Sequence, residues 1–207
     1  MAHKVVEEIV ENNSWRDGEF AKFKKIAIST DESLWCRMCI PMIYAHWEGF
    51  VVSSLKALIS HLNTLELHPE NIPTKLVVVG LGESYKTLSG KQSFDQRIDF
   101  TEKFKLLYKN SIKFNSKINT RSNLKSDVLK ELCEMFGFNH RAFSDKMSDI
   151  DRLVSIRNSI AHGENSIVPD MANVIKYIDS VNAAMDILVK EIDLFLVNEE
   201  FLLKEIA

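Results

Sequence analysis

Apolar residues recur every three or four positions along most of the chain, a spacing that predicts helices. The clearest stripe is Met171, Val174, Ile178, Val181, Met185, Leu188, Ile192 and Phe195. It predicts a long final helix with Pro169 in its first turn. A second long helix is expected up to about Leu65, on a main stripe of Ile40, Ile43, Trp47, Val51, Leu55, Leu58 and Leu62. Cys39, Met42, His46 and Ser53 form a narrower stripe beside it. Ser29 and Glu32 have capping-box spacing at its start, Pro41 predicts a kink or a later start, and Gly49 would admit another helix closely.

Shorter patterns fill the rest. Val5, Val6, Ile9 and Val10 mark a helix over residues 3–13, and Trp15 with Asp17-Gly18 reads as a turn. Phe20, Phe23, Ile26 and Ala27 suggest a second short amphipathic piece. Val128, Leu129, Leu132 and Phe136 mark a helix capped by Ser122 or Asn123 and ended by Gly137. Ile150, Leu153, Val154, Ile160 and Ala161 mark another, with Ser148 as its cap and Gly163 as its stop. Residues 66–100 break the pattern: His68-Pro69 and Ile72-Pro73 interrupt helices, and Lys75 to Gly80 reads as strand or extended loop. The expected fold is all-α, an up-and-down antiparallel helical bundle in one domain over 1–207. Its core lies at about 30–65 and 122–200, with an extra N-terminal helical segment and an irregular insert around 66–100.

Composition changes this picture little. A chain of 207 residues suits one domain that buries about 70% of its unfolded surface. Few glycines and prolines suit long helices. No apolar run is long enough to span a bilayer, and the N-terminus lacks a signal-peptide pattern, so no membrane association is expected. Three cysteines without framework spacing suggest a reducing, cytoplasmic setting.

Charge adds more. The formal net charge of −3 does not advertise nucleic-acid binding. It hides a basic stretch, Lys103, Lys105, Lys109, Lys113, Lys117, Arg121 and Lys125 against the single acid Glu102, with Phe104, Leu107, Tyr108, Ile112 and Phe114 interleaved. Such a run is either a solvated helix face or a track for a phosphate backbone with rings for stacking. Lys105, Lys109, Lys113, Lys117 and Arg121 are its RNA-binding candidates. An acidic segment from Asp186 to Glu205 balances the total.

Two apparent motifs fail on chemistry. Cys36 and Cys39 are two ligands short of a zinc site, and free cysteines pack as small hydrophobes. The run Gly80 to Thr87 nearly spells a phosphate loop, but Tyr85 stands where the backbone needs a glycine. No metal and no cofactor are expected.

The helix ending at Gly163 carries the candidate chemistry. Arg157 falls on its apolar stripe, where a guanidinium needs a partner or a task. Asn158 and His162 are four apart and share another face. His162 lies near the helix end, where the dipole favours positive charge. A guanidinium can clamp phosphoryl oxygens, and an imidazole can move a proton near neutral pH. The spacing alone also fits a buried ion pair and a C-capping histidine.

The sequence R-N-S-I-A-H-G, preceded by I-D-R-L, resembles the HEPN superfamily (higher eukaryotes and prokaryotes nucleotide-binding domain). Y-A-H-W-E-G-F at 44–50 and S-N-L-K-S-D-V-L-K-E-L at 122–132 resemble its MAE-type branch. The resemblance implies a helical bundle that dimerises and, in active members, a metal-independent endoribonuclease. It places Arg157 and His162 on the family's two catalytic positions and Asn158 on the polar position after the arginine. Some members carry a modified tyrosine two residues after the histidine; Glu164 stands there instead. His46 and Glu48, two apart and so on different faces, are supporting candidates near the cleft.

The expected reaction uses the ribose 2′-hydroxyl as nucleophile, with His162 as general base or acid and Arg157 neutralising the phosphoryl oxygens. Asn158 would orient His162 or the phosphate. The expected products carry a 2′,3′-cyclic phosphate and a 5′-hydroxyl, and DNA is inert. Two copies across a two-fold axis would supply both base and acid. RNA, a second copy, and an antitoxin or other regulatory protein are the expected partners, in a toxin or antiviral defence setting. The alternative is a HEPN-like module that holds nucleotide, RNA or protein without cutting.

Overall fold

The computed structural model describes residues 2–25, 31–82 and 92–204. Eight α-helices and two short 3-10 turns occur among these residues, and no strand. The longest helices, α3 (Glu32–Thr64) and α8 (Met171–Val197), pack against each other and against α7 (Ser144–Ala161). The apolar stripes of α3 and α8 explain this. Ile40, Ile43, Trp47, Val51, Leu55, Leu58 and Leu62 are buried, as are Val174, Ile178, Val181, Met185, Leu188, Ile192 and Phe195. The result is the all-helical antiparallel bundle that the periodicity implies.

The helix ends differ from local expectation in several places. Ser29 lies outside the described residues, and Asp31 caps α3 by accepting the Leu34 N–H at 2.9 Å. The helix runs through Pro41 without interruption. On the narrower stripe Cys39 and His46 are buried, but Met42 and Ser53 are exposed. Pro169 stands before the α8 cap, Asp170, whose carboxylate accepts the Asn173 N–H at 2.7 Å. Ser148 is inside α7, which starts at Ser144.

The extra N-terminal segment is α1 (Lys4–Asn13) followed directly by α2 (Trp15–Phe23). The turn expected at Trp15 to Gly18 is helix, because Arg16 and Phe20, one helical turn apart, both find buried places. Arg16 reaches Gly49 on α3: a Cβ there would stand 3.3 Å from the guanidinium. The close approach that Gly49 permits is therefore by an arginine head.

Residues 66–100 hold a 3-10 turn at Pro69–Asn71, α4 (Thr74–Leu81) and the start of α5 (Phe94–Lys109). The β-branched run in α4 is helical, not extended, since Leu76, Val77 and Leu81 bury against α6 (Ser126–Phe136). Here packing overrides propensity. Most of the near-phosphate-loop, from Glu83 onward, falls outside the described residues.

The basic stretch is not one helix face. α5 ends at Lys109, and residues 110–125 form a strap from α5 to α6. Along the strap burial alternates: Ile112, Phe114 and Thr120 are buried, while Lys113, Asn115, Lys117, Asn119 and Arg121 are exposed. The strap is held to α3 and its flank by the Ile112 N–H to the Leu67 carbonyl at 2.7 Å and the Phe114 N–H to Asn63 Oδ1 at 2.8 Å.

Candidate functional site

Three stretches far apart in sequence meet at the C-terminal half of α7. The first is α3 around Tyr44. Its phenol is buried and donates to Glu48 Oε1, one turn on, at 2.9 Å. The same phenol oxygen accepts the Leu124 N–H at 3.1 Å, and the Trp47 indole N–H reaches the Leu124 carbonyl at 3.3 Å. Thr120 Oγ1 donates to Glu48 Oε1 at 2.5 Å. The end of the strap, from Thr120 to Leu124, is thus pinned to α3 by three side chains. Burial pushes the Tyr44 phenol up to about 12, opposed by the Leu124 N–H, reinforced by the Glu48 carboxylate and opposed least by Arg157.

The second stretch is that strap end with the start of α6, and the third is α7 itself, whose polar residues stitch it to the second. Asp151 Oδ1 accepts the Ser126 N–H at 2.7 Å and its Oδ2 the Ser126 hydroxyl at 2.6 Å. A carboxylate from a neighbouring helix therefore caps α6, in place of the local cap expected from Ser122 or Asn123. Lys125 Nζ donates to Ser155 Oγ at 3.1 Å. Asn158 Nδ2 donates to Asn123 Oδ1 at 3.0 Å. Asp151, Ser155 and Asn158 lie at helical spacing, one polar seam along α7.

Arg157 stands beside this seam. Its guanidinium carbon lies 4.4 Å from the centre of the Tyr44 ring. Its Nη1 donates to Asn158 Oδ1 at 2.9 Å and to the Ser122 carbonyl at 3.4 Å. No carboxylate pairs with it among the described residues. The partner that its place on an apolar stripe demands is an aromatic face, which leaves guanidinium N–H groups for another ligand.

His162 caps the α7 C-terminus and is exposed. Gly163, at φ +80°, carries the chain out of the helix: its N–H bonds the Ile160 carbonyl and the Glu164 N–H that of Ser159. Arg37 of α3 donates to the Glu164 and Ile167 carbonyls at 2.9 and 2.8 Å, tying down the segment after the histidine. Arg157 and His162 are five residues apart, so on one helix they diverge by about 140° and about 7.5 Å along the axis. The hydrogen bonds of the Asn158 side chain go to Arg157 and Asn123.

The supporting candidates separate. Glu48 reaches Arg157 through the Tyr44 ring. His46 lies with α2, its ring tilted against those of Trp15, Phe20 and Phe23. Its Nδ1 is 3.1 Å from Arg16 Nη1, and its Nε2 is 2.9 Å from a Glu19 carboxylate oxygen. Burial first, and then the Arg16 charge, lower the proton affinity of His46. Sequence patterns point to Asn123 only as a helix cap and give no individual role to Tyr44 or Arg37. The four-residue Tyr44–Glu48 spacing is the one signal that local inspection offers.

The basic candidates are dispersed. Lys105 pairs with Glu102 at 3.0 Å, Lys109 is exposed at the end of α5, and Lys113 Nζ donates to the Asn63 carbonyl at 3.1 Å. Lys117 and Arg121 flank a groove, and Arg121 is ion-paired with Glu131. Cys36, Cys39 and Cys133 are buried free thiols, and burial pushes Cys39 up to about 11 and Cys133 up to about 12. Among the described residues no group of three or more His, Cys, Asp or Glu is placed to hold a metal. No helix among them is long and apolar enough to cross a membrane.

A search of curated proteins and a search of solved structures each returned no match. A family model described as RiboL-PSP-HEPN matches residues 11–194, a span that holds all three converging stretches. By that match over most of its length, the chain belongs to the RiboL-PSP-HEPN family of the HEPN superfamily.

Proposed function

We propose that the protein is a metal-independent endoribonuclease that works as a homodimer, each copy a single HEPN-like domain. Membership in the family supports a general RNA-binding or RNA-cleaving role. The narrower likeness to MAE-type proteins rests on the 44–50 and 122–132 segments, which converge on α7. The observation that carries the reading is Arg157: a guanidinium oriented by Tyr44 and Asn158, lacking a carboxylate partner among the described residues, on the same helix as an exposed histidine.

In this reading His162 moves the proton of the ribose 2′-hydroxyl as it attacks the adjacent phosphorus. The P–O5′ bond breaks, the 5′-oxygen takes up a proton, and a 2′,3′-cyclic phosphate remains. Arg157 neutralises charge on the non-bridging oxygens. Asn158 orients Arg157, a role suggested by its contact. Because Arg157 and His162 diverge on one helix, a second copy supplies the complementary pair. Leu34, Met38 and Met42, exposed at four-residue spacing on the α3 that carries Tyr44, offer it an apolar face. RNA is the substrate, and a toxin or defence role held silent by a partner protein fits such an activity.

The test is to incubate the protein with a single-stranded RNA and with DNA of the same sequence, in chelator, and to identify the ends. RNA fragments with cyclic phosphate ends and intact DNA support the reading. Cleaved DNA, or 3′-hydroxyl ends, contradict it.

A further inference from the structure

Between α4, α6 and the strap lies a groove of about 710 Å³, within the size range of small-ligand sites. Its floor is apolar: Ile59, Val79, Ile118, Val128, Leu132 and Met135. Its rim is the outward side of the strap, Asn115, Lys117, Asn119 and Arg121, with Glu131 opposite. Neither Arg157 nor His162 lines it.

Three features suit this groove to a nucleotide. The first is the asparagine amides. Asn115 Oδ1 accepts the Lys117 N–H at 2.9 Å and Asn119 Oδ1 the Arg121 N–H at 3.0 Å. Those bonds fix which end of each amide is oxygen, and they leave the NH2 groups as donors at the rim. The second is charge. The strap carries Lys113, Lys117, Arg121 and Lys125 and no acid, and the one rim carboxylate, Glu131, is paired with Arg121. The third is backbone strain. Arg121 and Ser122 are consecutive non-glycine residues at φ +55° and +50°. Left-handed backbone at such residues is costly and clusters at ligand sites. Here it lets one turn face two ways: Arg121 lines the groove, while the Ser122 carbonyl and the Asn123 side chain meet Arg157 and Asn158.

We infer that this groove is a base-binding subsite. It takes one unpaired nucleobase of the RNA strand against the apolar floor, with the asparagine N–H groups on acceptor atoms of its edge and Lys117 on its phosphate. The inference rests on the endoribonuclease reading for its ligand and adds to it a determinant of where the strand is cut. The strap couples the two places, since it forms the groove rim and the support of Arg157.

Asn→Asp substitution keeps the oxygen that caps the strap and removes the amide donors. The experiment uses the His162→Ala protein, in which RNA is expected to stay uncut, and a short single-stranded oligoribonucleotide carrying 5-iodouridine. Ultraviolet adducts mapped by mass spectrometry are expected on the 115–121 strap or on Met135. The Asn115→Asp/Asn119→Asp pair is expected to bind about tenfold more weakly. The Asn110→Asp/Asn198→Asp pair, at the ends of α5 and α8, controls for the two added negative charges and is expected to bind RNA as before. Adducts confined to α5, or equal loss in the control, overturn the subsite. Wild-type cleavage of total RNA is scored separately: cleavage whose sites do not shift in the Asp pair sinks the groove alone, whereas groove adducts without wild-type cleavage sink the catalytic reading alone.

Discussion

The Arg157 guanidinium lies 4.4 Å above the Tyr44 ring, and the same phenol holds the strap through Leu124 and leans on Glu48. One buried tyrosine therefore fixes both the cation and the loop beside it. Tyr44→Phe keeps the ring and removes the hydroxyl, stranding the buried Leu124 N–H and leaving Glu48 with Thr120 as its remaining donor. The expected loss is about 1–3 kcal/mol of stability, read by urea unfolding. Cleavage per folded molecule is expected to fall less than tenfold. A variant as stable as the wild type would show that the phenol does not anchor the strap.

Asn158 bridges Arg157 and Asn123. Asn158→Ala releases both, and cleavage is expected to drop roughly tenfold in kcat with KM little changed. An equal drop after Ser155→Ala, which touches Lys125 but not Arg157, would mean that the seam as a whole matters and not the orientation of the arginine.

Leu34, Met38 and Met42 are exposed, and they form the face proposed for a second copy. A charge placed there must be buried in the dimer. Met38→Glu is expected to raise the dimer dissociation constant roughly tenfold or more and to cut activity in parallel, by sedimentation and RNA digestion on the same samples. A monomeric wild type with full activity would refute the assignment.

Acid should loosen the N-terminal helices. His46 is held below its ordinary value of 6.5 by burial and then by Arg16, with Glu19 opposing. His61 is lowered too, by burial and then by His3. A histidine of lowered affinity binds fewer protons folded than unfolded. Its penalty is absent above pH 6.5 and grows as pH falls from there toward the folded value. Asp186, raised by burial and then by Asp17, acts in the opposite sense at lower pH. The fall in Tm from pH 7 to pH 5 is expected to be smaller in His46→Gln than in the wild type. An equal fall in both would mean that His46 is not a source of the loss.

Much of the bundle is legible in sequence because burial there is periodic. The α3 and α8 stripes and the glycine stops at Gly137 and Gly163 follow local rules. The Arg157 puzzle is legible too, as an arginine on an apolar stripe, but its answer is not: Tyr44 lies more than a hundred residues away. The α6 cap is missed for the same reason, since Asp151 supplies it from another helix. α4 and the first turn of α2 are missed because β-branched or turn-forming residues there yield to packing, whereas Phe20 and Phe23 mark the rest of α2. Periodicity reports which side of an element is buried and says nothing of what it is buried against.

Arg157 and His162 are proposed to cut RNA together without metal. The direct measurement is digestion of total RNA in chelator by wild type, Arg157→Ala and His162→Ala at equal folded concentration. The account predicts fragments from wild type and a loss of about 10²–10⁴ in rate for His162→Ala, with Arg157→Ala also crippled. Cutting that survives in either variant, or that stops when the chelator is added to wild type, would contradict it.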